Sequence, residues 1–262
     1  MASTPPPSTP PPALIQAVQH HLDQSGLTQL EGPPARLTET LSGFLHQLLQ
    51  SNQQLNLTRD DALPGAILRH LIEPLAAWHQ IAALVPAGPL LDVGPGGGAP
   101  GLPIAIANPD RAITLVEARE RKAQYLTQTA SLLKLSHVTV RHDRAEHFAH
   151  SPARACFAAA FARALAPAPV ALEILLPLLQ KGGLAVIFAG PSIDQQLDAT
   201  ARAAADCGGD PPQILPLTWP GNDRDTRLVT VRKTAPTPDH YPRNLRQIKK
   251  DPVRRTPAPE AK

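Results

Sequence analysis

The stretch Leu90–Pro103, LLDVGPGGGAPGLP, holds five glycines and three prolines, with Asp92 two residues ahead of the first glycine. Its opening run, Leu90–Val93, is apolar and of strand length. The glycines at 94, 96 and 98 then permit turns at positive φ and bring bare backbone against a ligand that a Cβ would exclude. Pro103 suits the first turn of a helix, where its missing N–H would be unpaired anyway. The free N–H groups of such a helix start favour an anionic group, a phosphate or a carboxylate. Strand, ligand-binding loop and helix are the expected order.

Downstream of this stretch, further apolar runs of strand length occur at Ile113–Val116, Val138–Val140, Cys156–Phe161 and Leu184–Phe188. Helical stretches at Leu102–Asn108, Arg119–Lys134, Pro169–Leu179 and Ser192–Asp206 separate them. Alternation at this spacing predicts an α/β fold, a parallel sheet wound on both sides. Pro212–Leu217 and Arg227–Arg232 close it as two more strands, with a turn at Pro220–Asn222, making a mostly parallel seven-stranded Rossmann-like sheet. Upstream, Leu41, Phe44, Leu45, Leu48 and Leu49 mark a helix face, and Ile67, Leu68, Leu71 and Ile72 continue a helical stripe. Between them lies NLTRDD (Asn56–Asp61), with Thr58 or Asp60 as candidate N-caps. The expected divisions are a proline-rich disordered start (1–12), a helical extension (13–88), the α/β core (89–234) and a basic tail (235–262).

The chain has 262 residues, 42% apolar and 18% charged, enough for a sizeable core. No apolar run approaches the roughly 20 residues that span a bilayer. The start, MASTPPPSTPPPA, lacks the basic and apolar regions of a secretory signal. The two cysteines, Cys156 and Cys207, have no metal-ligand spacing. A cytoplasmic protein without disulfide, metal or membrane span is expected, and a monomer. Net charge is +3, but unevenly spread. Residues 241–262 hold seven basic and two acidic residues, a local +5, while the remainder carries −2. A cationic tail on a near-neutral body suits a polyanion such as RNA; a solvated basic end is the alternative.

Glu117, at the end of the second strand in ITLVEARERKAQYL, supplies a carboxylate that can accept both hydroxyls of a ribose diol. An acid about 20 residues past the glycines is the pattern of nucleoside-containing cofactors. Gly94–Ala99 satisfies G-x-G-x-x-A, so NAD is one reading. Asp92 with alternating glycines, D-x-G-x-G-x-G, instead resembles the first motif of class I S-adenosylmethionine-dependent methyltransferases, and nothing downstream resembles a hydride-transfer domain. At the end of the fourth strand the chain reads FARALAP (Phe161–Pro167), without the Asn/Asp-Pro-Pro-Tyr/Phe of amino-methyltransferases. Cys156 and Cys207 read as small apolar residues rather than nucleophiles. Guanine N7, whose lone pair is unprotonated at neutral pH, would need neither device.

NLT and RHLIEP (Asn56–Thr58, Arg69–Pro74), DVGPGGGAPGLP (Asp92–Pro103), VEARERKAQYL (Val116–Leu126), DRAE (Asp143–Glu146), ARA (Ala162–Ala164) and YPRNLRQIKKDP (Tyr241–Pro252) occur in this order. Together they resemble the RsmG (GidB) family, bacterial 16S rRNA guanine-N7 methyltransferases acting on guanine 527 of the 530 loop. The resemblance implies S-adenosylmethionine as cofactor and 16S rRNA, within the small (30S) ribosomal subunit, as partner. It implies donor binding by Asp92, Gly94, Gly96, Gly98, Leu102, Glu117, Ala145, Glu146 and Arg163, and catalytic roles for Arg163, Asn56 and His70. RNA contacts fall to Arg69, Arg227, Tyr241, Arg243, Lys249 and Lys250. Three departures stand out. Ala189-Gly190 replaces the usual Lys-Gly after strand five, Pro74 replaces a common serine, and the tail carries Arg246 and Ile248 where the family has Gly-x-Pro. Arg227 is the candidate to supply the missing charge. Two other readings share these motifs: the same fold acting on a different RNA guanine, and a non-catalytic ribosome-assembly factor.

Overall fold

Successive residues of the first strand serve opposite faces of the sheet, as a pleated backbone requires. Leu90 joins one apolar cluster and Leu91 the other, and the same split recurs at Phe161 against Ala162 and at Val186 against Ile187. The computed structural model describes residues 9–27, 34–60, 62–244 and 247–248. Of the start expected to be disordered (1–12), residues 1–8 lie outside them, as do the basic positions Lys249 and Lys250, whereas Pro12 is the first residue of a helix.

Among the described residues, helices come first: α1 (Pro12–Gln24), α2 (Pro34–Leu55), α3 (Leu63–Ile67) and α4 (Glu73–Ile81). Residues Leu68–Ile72 between α3 and α4 form a π-helical turn. The α/β part runs β1 (Leu90–Val93), α5 (Gly101–Ala107), β2 (Ile113–Glu117), α6 (Glu120–Leu132), β3 (Val138–His142), α7 (Ala145–Phe148), β4 (Phe157–Arg163), α8 (Ala168–Leu175), β5 (Leu179–Ala189), α9 (Leu197–Asp206), β6 (Gln213–Pro216) and β7 (Arg227–Arg232). The seven strands lie in the order β3-β2-β1-β4-β5-β7-β6, with β7 antiparallel to β5 and β6 and the other pairs parallel. The sheet is therefore the mostly parallel, doubly wound α/β sheet expected from the sequence. One face is covered by α5, α6 and apolar residues of α1, α2 and α4, including Phe44, Leu48, Leu75 and Trp78. The other is covered by α8, α9 and the C-terminal segment through Tyr241 and Ile248. Among the described residues no helix is long and apolar enough to cross a membrane.

The chain order reverses between β1, which pairs β2 on one side, and β4 on its other side. Crevices at such reversals, beyond the carboxyl ends of the strands, are where open α/β sheets hold ligands. The glycine loop leaves β1 and Arg163 ends β4, so both reach this crevice.

Local readings shift in three places. The helix expected over Pro169–Leu179 ends at Leu175 and passes through a 3-10 turn at Leu176–Leu178. Pro177 has no N–H to continue an α-helix, and Leu179 already pairs with Phe157 as the first residue of β5. The helix expected over Ser192–Asp206 is split into a 3-10 stretch (Pro191–Gln196) and α9. There the Gln196 side chain accepts the Ala168 N–H, 3.1 Å away. Neither Thr58 nor Asp60 caps a helix: Ala62 occupies that position for α3. Thr58 and Asp60 instead bond each other and reach the site described next.

Candidate active site at the reversal between β1 and β4

The glycine loop is fixed from behind before any ligand is considered. Gly101 N–H donates to Asp92 Oδ2 at 2.7 Å, tying the start of α5 to the end of β1. A Cβ on Gly101 would lie 2.5 Å from Leu115 Cδ2, and one on Gly98 would lie 2.6 Å from Leu102 Cδ1. Leu102, fully buried, thus supports the loop from beneath. These two glycines are required by packing. Gly94 and Gly96 both have positive φ, 71° and 55°. A Cβ on Gly94 would press on Leu165, whereas one on Gly96 would meet nothing closer than Lys122 Nζ at 3.9 Å. Gly96 is the open side of the cradle.

Glu117 is buried and receives two backbone donors, Gly96 N–H on Oε2 (3.1 Å) and Arg119 N–H on Oε1 (2.9 Å). A carboxylate has about four lone-pair positions, so acceptor capacity remains for a diol. Asp92 is fully buried, and its Oδ1 has no hydrogen-bond partner. Burial raises its pKa to about 7. Ala145 opens α7, and the buried carboxylate of Glu146 behind it is met by Arg144 Nε at 2.7 Å.

A second group of polar residues closes the crevice from the helical side. Arg163 Nη1 donates to the Arg69 carbonyl (2.5 Å) and to Glu73 Oε2 (3.2 Å), and Nη2 approaches His70 Nδ1 at 3.4 Å. Guanidinium has no acceptor, so His70 Nδ1 accepts and Nε2 carries the proton toward Thr58 Oγ1 at 2.8 Å. The Thr58 hydroxyl donates on to Asp60 Oδ2, and Arg69 Nε lies 3.4 Å from the same oxygen. Burial, followed by the charge of Arg163, lowers the His70 pKa to about 3, so the ring is neutral at working pH. Ala164, next to Arg163, adopts φ 54°; this left-handed conformation, sterically costly for alanine, turns the chain at the site.

Of the other expected residues, Asn56 is exposed at the end of α2 with φ 49°, a conformation asparagine tolerates. Asn52, one turn earlier, accepts the Leu57 and Thr58 N–H groups. Arg227 pairs in register with Ala189 at the carboxyl end of β5. Its guanidinium is held by Asp194 (2.6 Å) and Asp225 (3.0 Å). Tyr241 is buried, and Arg243 forks onto the buried Glu173 at 2.7–2.9 Å. These last two dock the C-terminal segment onto α8 rather than standing free in solvent.

Four residues beside the expected ones adjoin the site; Glu73, Lys122 and Leu165 fall within stretches quoted from the sequence but had no role assigned, and Thr226 falls in none. Glu73 and Thr226 bond each other at 2.7 Å across 153 residues of chain. Lys122 flanks Gly96, its pKa lowered by burial. Leu165 covers Gly94. Only the placement of Lys122 one turn into the helix after Glu117 could have suggested it.

The family model described as GidB, rRNA small subunit methyltransferase G, matches residues 37–217. A protein named ribosomal RNA small subunit methyltransferase G from Synechococcus elongatus is 34% identical over 225 residues, covering 85% of this chain and 93% of that protein. Its namesake from Deinococcus radiodurans is 35% identical over 206 residues, covering 78% and 81%. The matched region takes in α2 from Leu37 onward, the π-helical turn, the glycine loop, Glu117 and Arg163. The chain belongs to the GidB family of rRNA small subunit methyltransferases.

Proposed function

We propose that this protein transfers a methyl group from S-adenosylmethionine to N7 of a guanine in 16S rRNA, guanine 527 of the 530 loop. The observation that carries the reading is the meeting of the glycine loop, Glu117 and Arg163 at the strand-order reversal, on a chain of this family. Neither cysteine serves there: Cys207 is buried at the end of α9, its pKa pushed up to about 12 by burial, and Cys156 precedes β4 at its opposite end.

The residues fit the donor. Gly96 leaves an open cradle beside backbone, Glu117 offers acceptor positions for a ribose diol, and the unpartnered Asp92 Oδ1 suits a cationic group, such as the donor's ammonium. Ala145 and Glu146 flank the place of the adenine. When bound, S-adenosylmethionine supplies a sulfonium methyl, and its loss of that methyl leaves a neutral thioether. The guanine N7 lone pair needs no base, so the protein's task is in-line placement, which can account for several powers of ten in rate. Arg163, with three N–H groups committed to Arg69, Glu73 and His70, keeps others for acceptor atoms of the substrate. Neutral His70 fixes the guanidinium plane without adding charge, and Asn56 and Arg69 face the incoming RNA. Arg227, paired in register with Ala189 and held there by Asp194 and Asp225, is the basic residue offered in place of the lysine that the resemblance leads one to expect at 189.

The test is methyl transfer from labelled S-adenosylmethionine to 30S subunits lacking the modification, with the labelled nucleotide mapped. Label on N7 of guanine 527 is expected. Label elsewhere would refute the target, and donor binding without transfer would refute the activity. In the same assay Arg227→Ala is expected to lower turnover; unchanged turnover would remove Arg227 from the site.

A further inference from the structure

The π-helical turn at Leu68–Ile72 leaves a backbone carbonyl without a helical donor. Glu73 N–H closes five residues back on the Leu68 carbonyl. In that register the next donor, for the Arg69 carbonyl, would be the N–H of residue 74. That residue is proline and has none. The Arg69 carbonyl instead accepts Arg163 Nη1 at 2.5 Å. Single π turns inside α-helices often occur at functional sites because they free such groups.

The same turn delivers Glu73. Its side chain is about 7% exposed, and its two oxygens face different parts of the chain. Oε2 takes Arg163 Nη1 at 3.2 Å, and Oε1 takes the Thr226 hydroxyl at 2.7 Å. Thr226 immediately precedes β7 at the same end of the sheet. Three segments, the π-helical turn, the end of β4 and the start of β7, therefore converge on one guanidinium. Removing one partner of a buried ion pair leaves the other charge uncompensated, so the arrangement specifies one position for Arg163.

We propose that Glu73, backed by Thr226, is a positioning residue for methyl transfer: with the carbonyl that Pro74 leaves free at Arg69, it holds the Arg163 guanidinium against the methyl-transfer site. The inference rests on the reading of Arg163 as the arginine at that site. Glu73 contacts neither donor nor RNA and acts through Arg163.

The experiment measures kcat and KM for unmodified 30S subunits, and donor affinity by calorimetry, for Glu73→Gln, Thr226→Val, Arg163→Ala and the Arg163→Ala/Glu73→Gln pair. Glu73→Gln is expected to lower kcat about ten- to hundred-fold, the scale of a misplaced catalytic group, with donor Kd and KM within about two-fold. Thr226→Val, nearly isosteric and less disruptive, is expected to lower kcat by a smaller factor in the same direction. In the Arg163→Ala background, Glu73→Gln is expected to have no further effect on kcat, the non-additivity of residues acting as a unit. Independent, multiplying effects, or unchanged kcat in both single variants, would overturn the proposal. Full activity of Arg163→Ala would instead overturn the reading of Arg163 itself.

Discussion

Asp92 spends one carboxylate oxygen on the Gly101 N–H and leaves the other buried without a partner. Burial is the dominant cause of its rise from 3.8 to about 7, opposed by the Gly101 bond and by the charge of Arg163. Between those values the folded protein holds a proton that the unfolded chain has released. This group's contribution to stability is therefore full below about pH 4 and is lost as pH rises through 7. His70 works in the opposite sense: with its pKa lowered from 6.5 to about 3, its contribution is present above pH 6.5 and lost as pH falls toward 3. Asp92→Asn should flatten the loss of thermal stability between pH 4 and 8, measured by scanning fluorimetry on the ligand-free protein. Donor affinity should fall about ten-fold or more, as expected when a hydrogen bond to a charged acceptor is lost. Undiminished affinity for S-adenosylmethionine in the Asn variant would remove Asp92 from the donor site.

Glycines of this chain are of two kinds, and their surroundings separate them. Gly101 faces Leu115 and Asp92 at distances no Cβ can occupy, whereas Gly190, after β5, has open space around it and an ordinary φ of −98°. Gly101→Ala should destabilise the protein by about 1–3 kcal/mol, the usual cost of overpacking, read from urea midpoints. Gly190→Ala should lie within about 0.5 kcal/mol of the parent, as for an unconstrained surface change. A Gly101→Ala midpoint equal to that of Gly190→Ala would mean that the loop repacks freely around Gly101. The helix boundaries follow a similar logic. Pro177 and Pro74 are visible in the sequence as interruptions, but what each interruption frees depends on the partner that tertiary contacts bring near.

Across the whole molecule, the C-terminal segment is strapped to the face of the sheet away from the N-terminal helices. Arg154 donates to the carbonyls of Thr237, Pro238 and Tyr241, His150 lies 2.9 Å from the Pro242 carbonyl, and Arg243 is bound by Glu173. Ile248 is fully buried. Arg243, one of the basic residues expected to grip RNA, is thus engaged with protein. The counterion-releasing charge is left to residues 249–262, which hold five basic and two acidic residues. Removing residues 249–262 should weaken binding to 30S subunits and reduce the salt slope of the binding constant by several units, since each neutralised phosphate contributes about 0.7–0.9. Donor affinity should be unchanged. An unaltered salt slope would make these residues a solvated end.

The sequence alone determined the strand–helix alternation, the place of the glycine loop after the first strand, and the acid after the second. Each depends on local chemistry: apolar period, backbone freedom at glycine and spacing along one chain. It also carried the family through motifs whose spacing survives in order. It did not determine which glycines serve packing, because that depends on Leu115, Leu102 and Asp92 arriving from other elements. Nor could it reveal Glu73 and Thr226 as partners, 153 residues apart. Their bond exists because β7 returns antiparallel beside β5, which brings the start of β7 to the carboxyl end of the sheet. Thr58 and Asp60 looked like helix caps because capping is read from neighbours in sequence. The fold joins them to His70 and Arg69 instead: Thr58 Oγ1 lies 2.8 Å from His70 Nε2, and Asp60 Oδ2 lies 3.4 Å from Arg69 Nε, contacts that depend on the helical turn twelve residues further on.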